Sequence, residues 1–199
     1  ILDYLARRRG LAGGVGYTIA TSGLINAVAR SHGLKLIETA VGFRNFGPLL
    51  VDGTLEYAGE ESAGLAWARH LPERDGVLAC LLAAEMVAVE GKGLGELARA
   101  LAGRVGVYAF KRVQIPLTER SREVYEQRLQ QEWSRVDGHR VVDVDRSDGL
   151  KLIFDGGGWI LIRLAGTEPM IRLYAEGRSG GEQRALMQLA RKFFSERRR

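Results

Sequence analysis

Two arginines flank a glycine-containing turn at residues 163–172, and their residue types point directly to anion chemistry. Arg163 and Arg172 stand at its ends, with Gly166 and Thr167 between them. The apolar segments on either side predict two strands. A guanidinium is a planar fork of donors that matches phosphate oxygens in pairs, and a glycine turn lets backbone N–H groups converge on an anion. The segment therefore predicts a phosphate site, without naming a reaction.

A second polar loop, residues 59–64, follows a predicted strand at 55–58. It carries Glu60, Glu61 and Ser62 between two glycines. Carboxylates and hydroxyls are suitable hydrogen-bond partners for the hydroxyl groups of a sugar. Taken alone, such a hexapeptide is more often a solvated acidic turn.

Two further arginines, Arg44 and Arg74, stand in loops that we expect at the same end of a sheet. In open α/β sheets, ligands bind at the carboxyl ends of the strands, where residues 39–44 and 59–64 are predicted to lie. By itself, Arg44 fits ordinary surface charge. Arg74 precedes Asp75, which predicts the N-cap of a helix.

The order of predicted elements divides the 199 residues into two parts. Up to about residue 112, strands alternate with helices, which predicts parallel strand pairing. After Pro116, a helix capped by Thr118 is followed by four short strands and a final helix at 182–198. Consecutive strands joined by tight turns predict an antiparallel sheet backed by helices. The composition shift places the boundary near residues 112–117.

Composition argues against several classes of protein. The net charge of +5 is scattered and no aromatic residues interleave with it, which disfavours nucleic acid as a partner. No apolar run approaches the roughly 20 residues of a membrane span. The single cysteine, Cys80, lies in an apolar run, which predicts a core position and fits a cytoplasmic location. The start at Ile1, without an initiator methionine, predicts a piece of a longer protein.

The sequence predicts no metal site. Asp143 and Asp145 alternate along a predicted strand without a third ligand at the spacing of a calcium loop. The three histidines, His32, His70 and His139, are far apart in the sequence and lack metal-ligand spacing.

Taken in order, three of these loops resemble the C-terminal half of the α-D-phosphohexomutases, the phosphoglucomutase/phosphomannomutase family. Residues 39–45 resemble the family's T-x-x-G-F-K segment, and residues 59–64 resemble its sugar-recognition loop, G-E-E-S-G-G. Residues 163–172 resemble its phosphate-binding loop, R-P-S-G-T-E-P-x-x-R. The resemblance spans nearly the whole chain. It implies a three-layer α/β sandwich domain followed by a smaller α+β domain with an antiparallel sheet backed by helices.

The resemblance also implies domain bounds and residue roles. A helix tail left from a preceding domain would occupy residues 1–9, a sugar-recognition domain 10–112, and a phosphate-binding domain 117–199. The implied sugar-binding residues are Glu60, Ser62, Arg44 and Arg74. The implied phosphate-binding residues are Arg163, Ala165, Gly166, Thr167 and Arg172.

By the family's pattern, the parent enzyme interconverts hexose 1-phosphate and hexose 6-phosphate through a bisphosphate, with glucose favoured and mannose possible. Its phosphoserine and its Mg²⁺ would lie outside this chain, so we expect no catalytic residue, no metal and no turnover from the chain alone. Its partners would be a phosphorylated hexose and the missing N-terminal domains, with neither nucleic acid nor membrane. The alternative is a non-catalytic phosphosugar-binding or sensing module.

Three positions depart from the family's pattern. Ala165 stands where the family usually has serine, and Leu164 where it often has proline. Loss of one hydroxyl donor to a phosphate costs roughly 1.5–3 kcal/mol if nothing replaces it. Ala63 replaces a usual glycine and adds a Cβ to a tight loop. The arginines remain, and a charge-assisted bidentate contact outweighs a single hydroxyl.

Overall fold

A computed structural model describes residues 1–194 of the chain. It divides into two compact units, with the division between Val107 and Tyr108. The sequence-based boundary at 112–117 lies a few residues later because the strand Ala109–Pro116 had not been predicted. That strand pairs along its whole length with a strand of the second unit, so its residues belong there.

The first unit alternates strands and helices, as the sequence predicts. Its elements are α1 (Leu2–Arg8), β1 (Gly14–Thr18), α2 (Leu24–Ser31), β2 (Leu36–Thr39), a 3₁₀ turn (Phe43–Asn45), α3 (Gly47–Val51), β3 (Leu55–Gly59), β4 (Leu65–Trp67), α4 (Gly76–Glu90) and α5 (Leu94–Val105).

The sheet of this unit has the order β2-β1-β3-β4. β1 pairs in parallel with both β2 and β3, which confirms the predicted parallel core. β4 adds an antiparallel edge and was missed in the sequence, since three residues carry too little periodicity to be recognised. The carboxyl ends of β2 and β3 therefore lie on either side of the carboxyl end of β1.

The N-terminal helix is part of the first unit's core, because Leu2, Tyr4 and Leu5 are buried in the cluster that also holds Val15 of β1. Its run of arginines is largely neutralised by α4. Arg7 and Arg8 pair with Glu90, and Arg9 pairs with Glu85. The hydrophobic face of α1 thus packs into the core, while the arginines at its C-terminal end form ion pairs with α4.

Helix α4 begins where the sequence predicts. The Asp75 side chain accepts hydrogen bonds from the N–H groups of Val77 and Leu78, 2.8 and 3.1 Å away, which confirms it as the N-cap. The prediction that Cys80 lies in the core is wrong, since its side chain is exposed on this helix. Only Leu82 of α4 is fully buried, so an apolar run did not by itself identify the buried face.

The second unit is an antiparallel sheet with helices, as predicted. Its elements are β5 (Ala109–Pro116), α6 (Glu119–Gln130), β6 (Arg135–Val136), β7 (His139–Asp145), β8 (Leu150–Phe154), β9 (Trp159–Leu164), β10 (Met170–Gly177) and α7 (Gly180–Lys192).

The strands of this sheet follow the order β5-β10-β9-β8-β7-β6, and every pair is antiparallel. One face, with Ile162 and Leu173, packs against Leu186 of α7 and Tyr125 of α6. Thr118 caps α6 by accepting from the Ser121 N–H at 3.1 Å, as predicted.

The last helix begins two residues earlier than predicted and ends at Lys192. The predicted helical residues 195–198 lie outside the described part. None of the helices in residues 1–194 has both the length and the apolarity needed to cross a membrane.

Candidate functional site

The two loops that follow β2 and β3 are joined by a hydrogen bond. The backbone N–H of Gly42 donates to Glu60 Oε1 over 3.1 Å. The residues are 18 positions apart in the sequence and meet because their strands lie on either side of β1. The structure thus brings two of the three sequence motifs to one edge of the sheet.

Two phenylalanines anchor the first of these loops. Phe43 and Phe46 are buried, and their rings pack edge to face with centroids 5.3 Å apart. The side-chain amide of Asn45 donates to the carbonyl of Ala40 over 2.9 Å and closes the turn. Arg44 lies between these two phenylalanines in the sequence, and its side chain is exposed. The buried rings therefore hold the backbone of Arg44 in place while its side chain remains in solvent.

Arg74 reaches the same loops through the start of α4. The Asp75 N–H donates to the carbonyl of Leu65 over 3.1 Å, which fixes this segment beside β4. A Cβ added to Gly64 would lie 3.6 Å from Arg74 Cδ, 3.6 Å from Glu60 Oε2 and 3.7 Å from a ring carbon of Phe43. Gly64 is therefore surrounded by three of the groups that define this site.

Glu60 is the half-buried member of the group. Burial raises the pKa of its carboxyl above the ordinary value, and the charge of Glu61 adds to the rise. The Gly42 N–H, the Arg74 charge and the Ser62 hydroxyl, whose Oγ lies 3.4 Å from Glu60 Oε2, act in the opposite direction. The carboxylate is thus held by donors from both loops, and Ser62, Arg44 and Arg74 are exposed around it.

The third departure from the family's pattern has a conformational consequence. Ala63 has a φ of +68°, in the left-handed region that L-residues with a Cβ rarely adopt. The turn that requires it is closed by hydrogen bonds from Ala63 N–H to the Glu60 carbonyl and from Glu60 N–H to the Gly64 carbonyl. Ala63 therefore carries local strain that a glycine would relieve.

In the second unit, the two arginines of the phosphate-loop motif lie directly opposite each other. Arg163 of β9 and Arg172 of β10 are paired residues in the antiparallel ladder, so their side chains lie on one face of the sheet. Like charges in this position repel unless anionic groups are close. Two carboxylates supply part of the compensation: Asp148 pairs with Arg163 at 3.2 Å, and Glu168 lies 3.9 Å from Arg172.

These arginines are not ordinary surface charges. Arg163 is buried, with 9% of its surface exposed. The Nε of Arg172 is buried and has no hydrogen-bond partner among residues 1–194. A buried donor without a partner is costly, and an anionic ligand would satisfy it.

The loop between the two strands is closed at its base and exposed at its tip. The Ala165 N–H donates to the carbonyl of Met170 over 2.9 Å. Gly166 and Thr167 are exposed, and within the described chain their backbone N–H groups make no hydrogen bond. The N–H of Ala165 is thus already used, whereas those of Gly166 and Thr167 remain available to an anion.

A cavity of about 430 Å³ lies between α1, α4 and α5, but no candidate residue lines it. Across residues 1–194, no three His, Cys, Asp or Glu side chains lie close enough together to hold a metal ion.

Two contributors to these sites were missed in the sequence. Asp148 lies in the turn between β7 and β8, and no residue type or spacing there indicates its contact with Arg163. The Gly42 N–H is a backbone donor, and no residue type signals it. Its φ of +131° explains why a glycine stands there.

The comparisons with known proteins agree with this architecture. Residues 1–105 match the family model "Phosphoglucomutase/phosphomannomutase, alpha/beta/alpha domain III", and residues 113–193 match "Phosphoglucomutase/phosphomannomutase, C-terminal domain".

Individual relatives give the same result. A phosphoglucomutase/phosphomannomutase of Thermococcus kodakarensis is 31% identical over 179 residues, covering 90% of this chain and 37% of the relative. A phosphoglucomutase of Komagataeibacter xylinus is 29% identical, covering 88% of this chain and 35% of the relative. The crystal structure of a putative phosphomannomutase from Thermus thermophilus superposes with a TM-score of 0.77 at 29% identity, covering 96% of this chain and 38% of that one.

The chain thus spans little more than a third of the length of the relatives it matches. Both family models follow each other along it in the order of the two units, and together they account for most of its residues. The chain belongs to the phosphoglucomutase/phosphomannomutase family, of which it contains the third and C-terminal domains.

Proposed function

We propose that this chain binds a phosphorylated hexose as part of a mutase that interconverts hexose 1-phosphate and hexose 6-phosphate. The observation that carries the proposal is the pair Arg163 and Arg172, which lie opposite each other in the ladder between β9 and β10. The Nε of Arg172 is buried and has no hydrogen-bond partner in the described residues. A phosphate monoester is a compact anion that matches planar guanidinium donors in pairs. The exposed N–H groups of Gly166 and Thr167 add neutral donors beside them.

In this proposal the first unit recognises the sugar. The ionised Glu60 accepts from sugar hydroxyls, Ser62 donates or accepts beside it, and Arg44 and Arg74 contribute positive charge. The Gly42 N–H restrains the Glu60 carboxylate before any ligand arrives. A restrained acceptor loses less side-chain entropy on binding than a free one. Glucose is the favoured hexose and mannose the second.

The second unit holds the phosphate group. Arg163, Arg172 and the N–H groups of Gly166 and Thr167 neutralise and orient it, while Ala165 contributes its backbone to the closed base of the loop. Phosphoryl transfer depends mostly on positioning and charge neutralisation, which is the kind of work these residues can do.

The transfer itself is assigned to residues outside this chain. A phosphoserine would give its phosphoryl group to a hydroxyl of the hexose monophosphate, and the resulting bisphosphate would return its other phosphoryl group to the serine. Mg²⁺ would neutralise charge at that serine and would be bound by the further domains. A cytoplasmic location and the absence of nucleic-acid or membrane partners stay predictions.

Calorimetric titration of the 199-residue chain tests the binding proposal. Glucose 1-phosphate and mannose 1-phosphate are compared with free glucose. Saturable binding of the phosphate esters with none of the free sugar is expected. Equal binding of free glucose, or no heat with either ester at millimolar concentration, contradicts it.

A second candidate function is a non-catalytic phosphosugar sensor, which is favoured by Ala165 in place of the usual serine. The polypeptide that carries this chain, assayed with glucose 1-phosphate and Mg²⁺, distinguishes the two. Formation of glucose 6-phosphate supports the mutase. Tight binding without any glucose 6-phosphate supports the sensor.

A further inference from the structure

The turn between β7 and β8 holds a carboxylate against the phosphate-loop arginine. Asp148 Oδ1 lies 3.2 Å from Nη2 and 3.4 Å from Nε of Arg163. Only 11% of the Arg163 side chain and 23% of the Asp148 side chain are exposed. An ion pair this well shielded is screened far less by salt than a pair on the surface.

The turn is built to approach the strand that carries Arg163. Gly149 has a φ of +115°, and a Cβ there would lie 2.5 Å from the carbonyl oxygen of Ile162 and 2.8 Å from Arg163 Cβ. No residue with a side chain fits that space without movement. The Ser147 N–H donates to Asp145 Oδ1 over 2.7 Å and tightens the same turn. Asp148 is therefore fixed by its backbone.

The carboxylate uses one edge of the guanidinium and leaves the other. An arginine side chain has five N–H donors in one plane. Nε and Nη2 face Asp148, whereas Nη1 of Arg163 makes no hydrogen bond within residues 1–194. Because both groups on the Asp148 edge are engaged, the plane of the guanidinium is set before a ligand binds.

We propose that Asp148 is a positioning residue for phosphate binding: it holds the Nε–Nη2 edge of Arg163 and so orients the Nη1 side towards the phosphate. This inference rests on the proposed function, because it assigns Asp148 a part in the same phosphate site.

The two properties of the carboxylate, its accepting oxygen and its charge, are separable by substitution. Asp148→Asn keeps an accepting oxygen at the same position and removes the negative charge. Asp148→Ala removes both, and Asp148→Ser replaces the carboxylate by a hydroxyl too short to reach Arg163. If positioning is what matters, the asparagine variant retains affinity and the other two lose it.

The experiment is a double-mutant cycle with the 199-residue chain and glucose 1-phosphate. We expect Asp148→Ala and Asp148→Ser each to weaken binding about tenfold and Asp148→Asn to stay within threefold of the unsubstituted chain. In the Arg163→Ala background, Asp148→Ala should change affinity less than twofold, because the residue it positions is gone. Circular dichroism and thermal unfolding show which variants are folded, and the serine variant replaces the alanine variant if the latter is not.

Each result decides one point. If Asp148→Ala, or the serine variant in its place, binds within twofold of the unsubstituted chain while Arg163→Ala binds weakly, the inference is overturned and the phosphate site stands. If the loss persists undiminished in the Arg163→Ala background, Asp148 acts on the fold and not through Arg163, and the inference is again overturned. If Arg163→Ala itself binds normally, the proposed function fails.

Discussion

The backbone N–H of Gly42 donates a hydrogen bond to Glu60 Oε1 over 3.1 Å, and this contact joins the two loops that carry the sugar-site residues. It is one of the contacts that hold a half-buried carboxylate at the carboxyl edge of the sheet. A carboxylate whose pKa is raised by burial is less stable when ionised than it would be in water. The ionised Glu60 side chain therefore lowers the stability of the folded chain, and a residue that does so fits a role in binding better than a role in folding.

The Glu60→Gln substitution separates binding from stability. The amide keeps the oxygen that accepts from Gly42 but loses the charge, so hexose phosphate should bind at least tenfold more weakly, about 1.5 kcal/mol or more. Inorganic phosphate should bind unchanged. The charge-matched control is Glu126→Gln, at an exposed position on α6. The assignment would be contradicted if Glu126→Gln weakened hexose phosphate binding and Glu60→Gln did not.

The same Glu60→Gln variant should unfold at a higher temperature than the unsubstituted chain at pH 7. The folded-state pKa of Glu60 lies above its ordinary value, so the neutral form favours the folded state and the ionised form opposes it. Thermal unfolding followed by circular dichroism measures the shift. A lowered unfolding temperature would mean that the carboxylate stabilises the loop.

The strain at Ala63 predicts that Ala63→Gly raises the free energy of unfolding by about 0.5–1 kcal/mol. A left-handed residue with a Cβ costs roughly 1–2 kcal/mol, and the greater freedom of glycine in the unfolded chain offsets part of the gain. Ala84→Gly, an exposed position in the middle of α4, is the control and should lower the free energy of unfolding by about 1 kcal/mol. Urea unfolding of the unsubstituted chain and the two variants measures these changes. If Ala63→Gly lowered the free energy of unfolding as much as the control does, the strain at Ala63 would be contradicted.

The close approach of Gly149 to the strand of Arg163 predicts a severe effect of Gly149→Ala. The methyl group would meet the Ile162 carbonyl and Arg163, so we expect a loss of about 2–4 kcal/mol of unfolding free energy, combining backbone strain and overpacking. Gly156→Ala is the matched control, since Gly156 also has a positive φ but has no atom within 4 Å of an added Cβ. Backbone strain of about 1–2 kcal/mol is all that the control should show. Equal losses in the two variants, measured by urea unfolding, would mean that the contact with Arg163 is unimportant.

A buried carboxylate in the first unit predicts acid sensitivity. Burial alone would raise the pKa of Asp3, but hydrogen bonds from His32, Arg104 and Arg7 outweigh it and lower the pKa to about 2. The stabilisation by Asp3 is therefore fully present above pH 4 and is lost as the pH falls from about 4 to 2. Asp3→Asn should cost on the order of 1–2 kcal/mol at pH 7, and the difference from the unsubstituted chain should shrink below pH 4. A difference that is constant from pH 7 to 3 would show that Asp3 does not titrate as described.

Much of the fold follows from sequence periodicity, and the exceptions have physical causes. Parallel pairing of β1 with β2 and β3, the Asp75 and Thr118 caps, and the strands around residues 163–172 were all predicted. β4 is too short to show a pattern. The sequence wrongly predicts a core position for Cys80, because α4 is apolar on all sides and no hydrophobic stripe indicates which side is buried.

The sites were predictable to the extent that side-chain types signal them. Carboxylates, hydroxyls and arginines at loop positions led to Glu60, Ser62 and Arg163 as candidates. The Gly42 N–H and the Asp148 contact depend on tertiary pairing, which brings residues 18 and 15 positions apart into hydrogen-bond distance. Local sequence patterns do not carry that information.

The affinity of the Arg163→Ala variant for glucose 1-phosphate is the most direct test of the proposed phosphate site. We expect this substitution to reduce the binding free energy by roughly 2–5 kcal/mol relative to the unsubstituted chain, the range for removing one member of a buried charge pair. The exposed Arg122→Ala, which removes the same charge from α6, should bind within twofold of the unsubstituted chain. An Arg163→Ala variant that is folded and binds glucose 1-phosphate as tightly as Arg122→Ala would contradict the account.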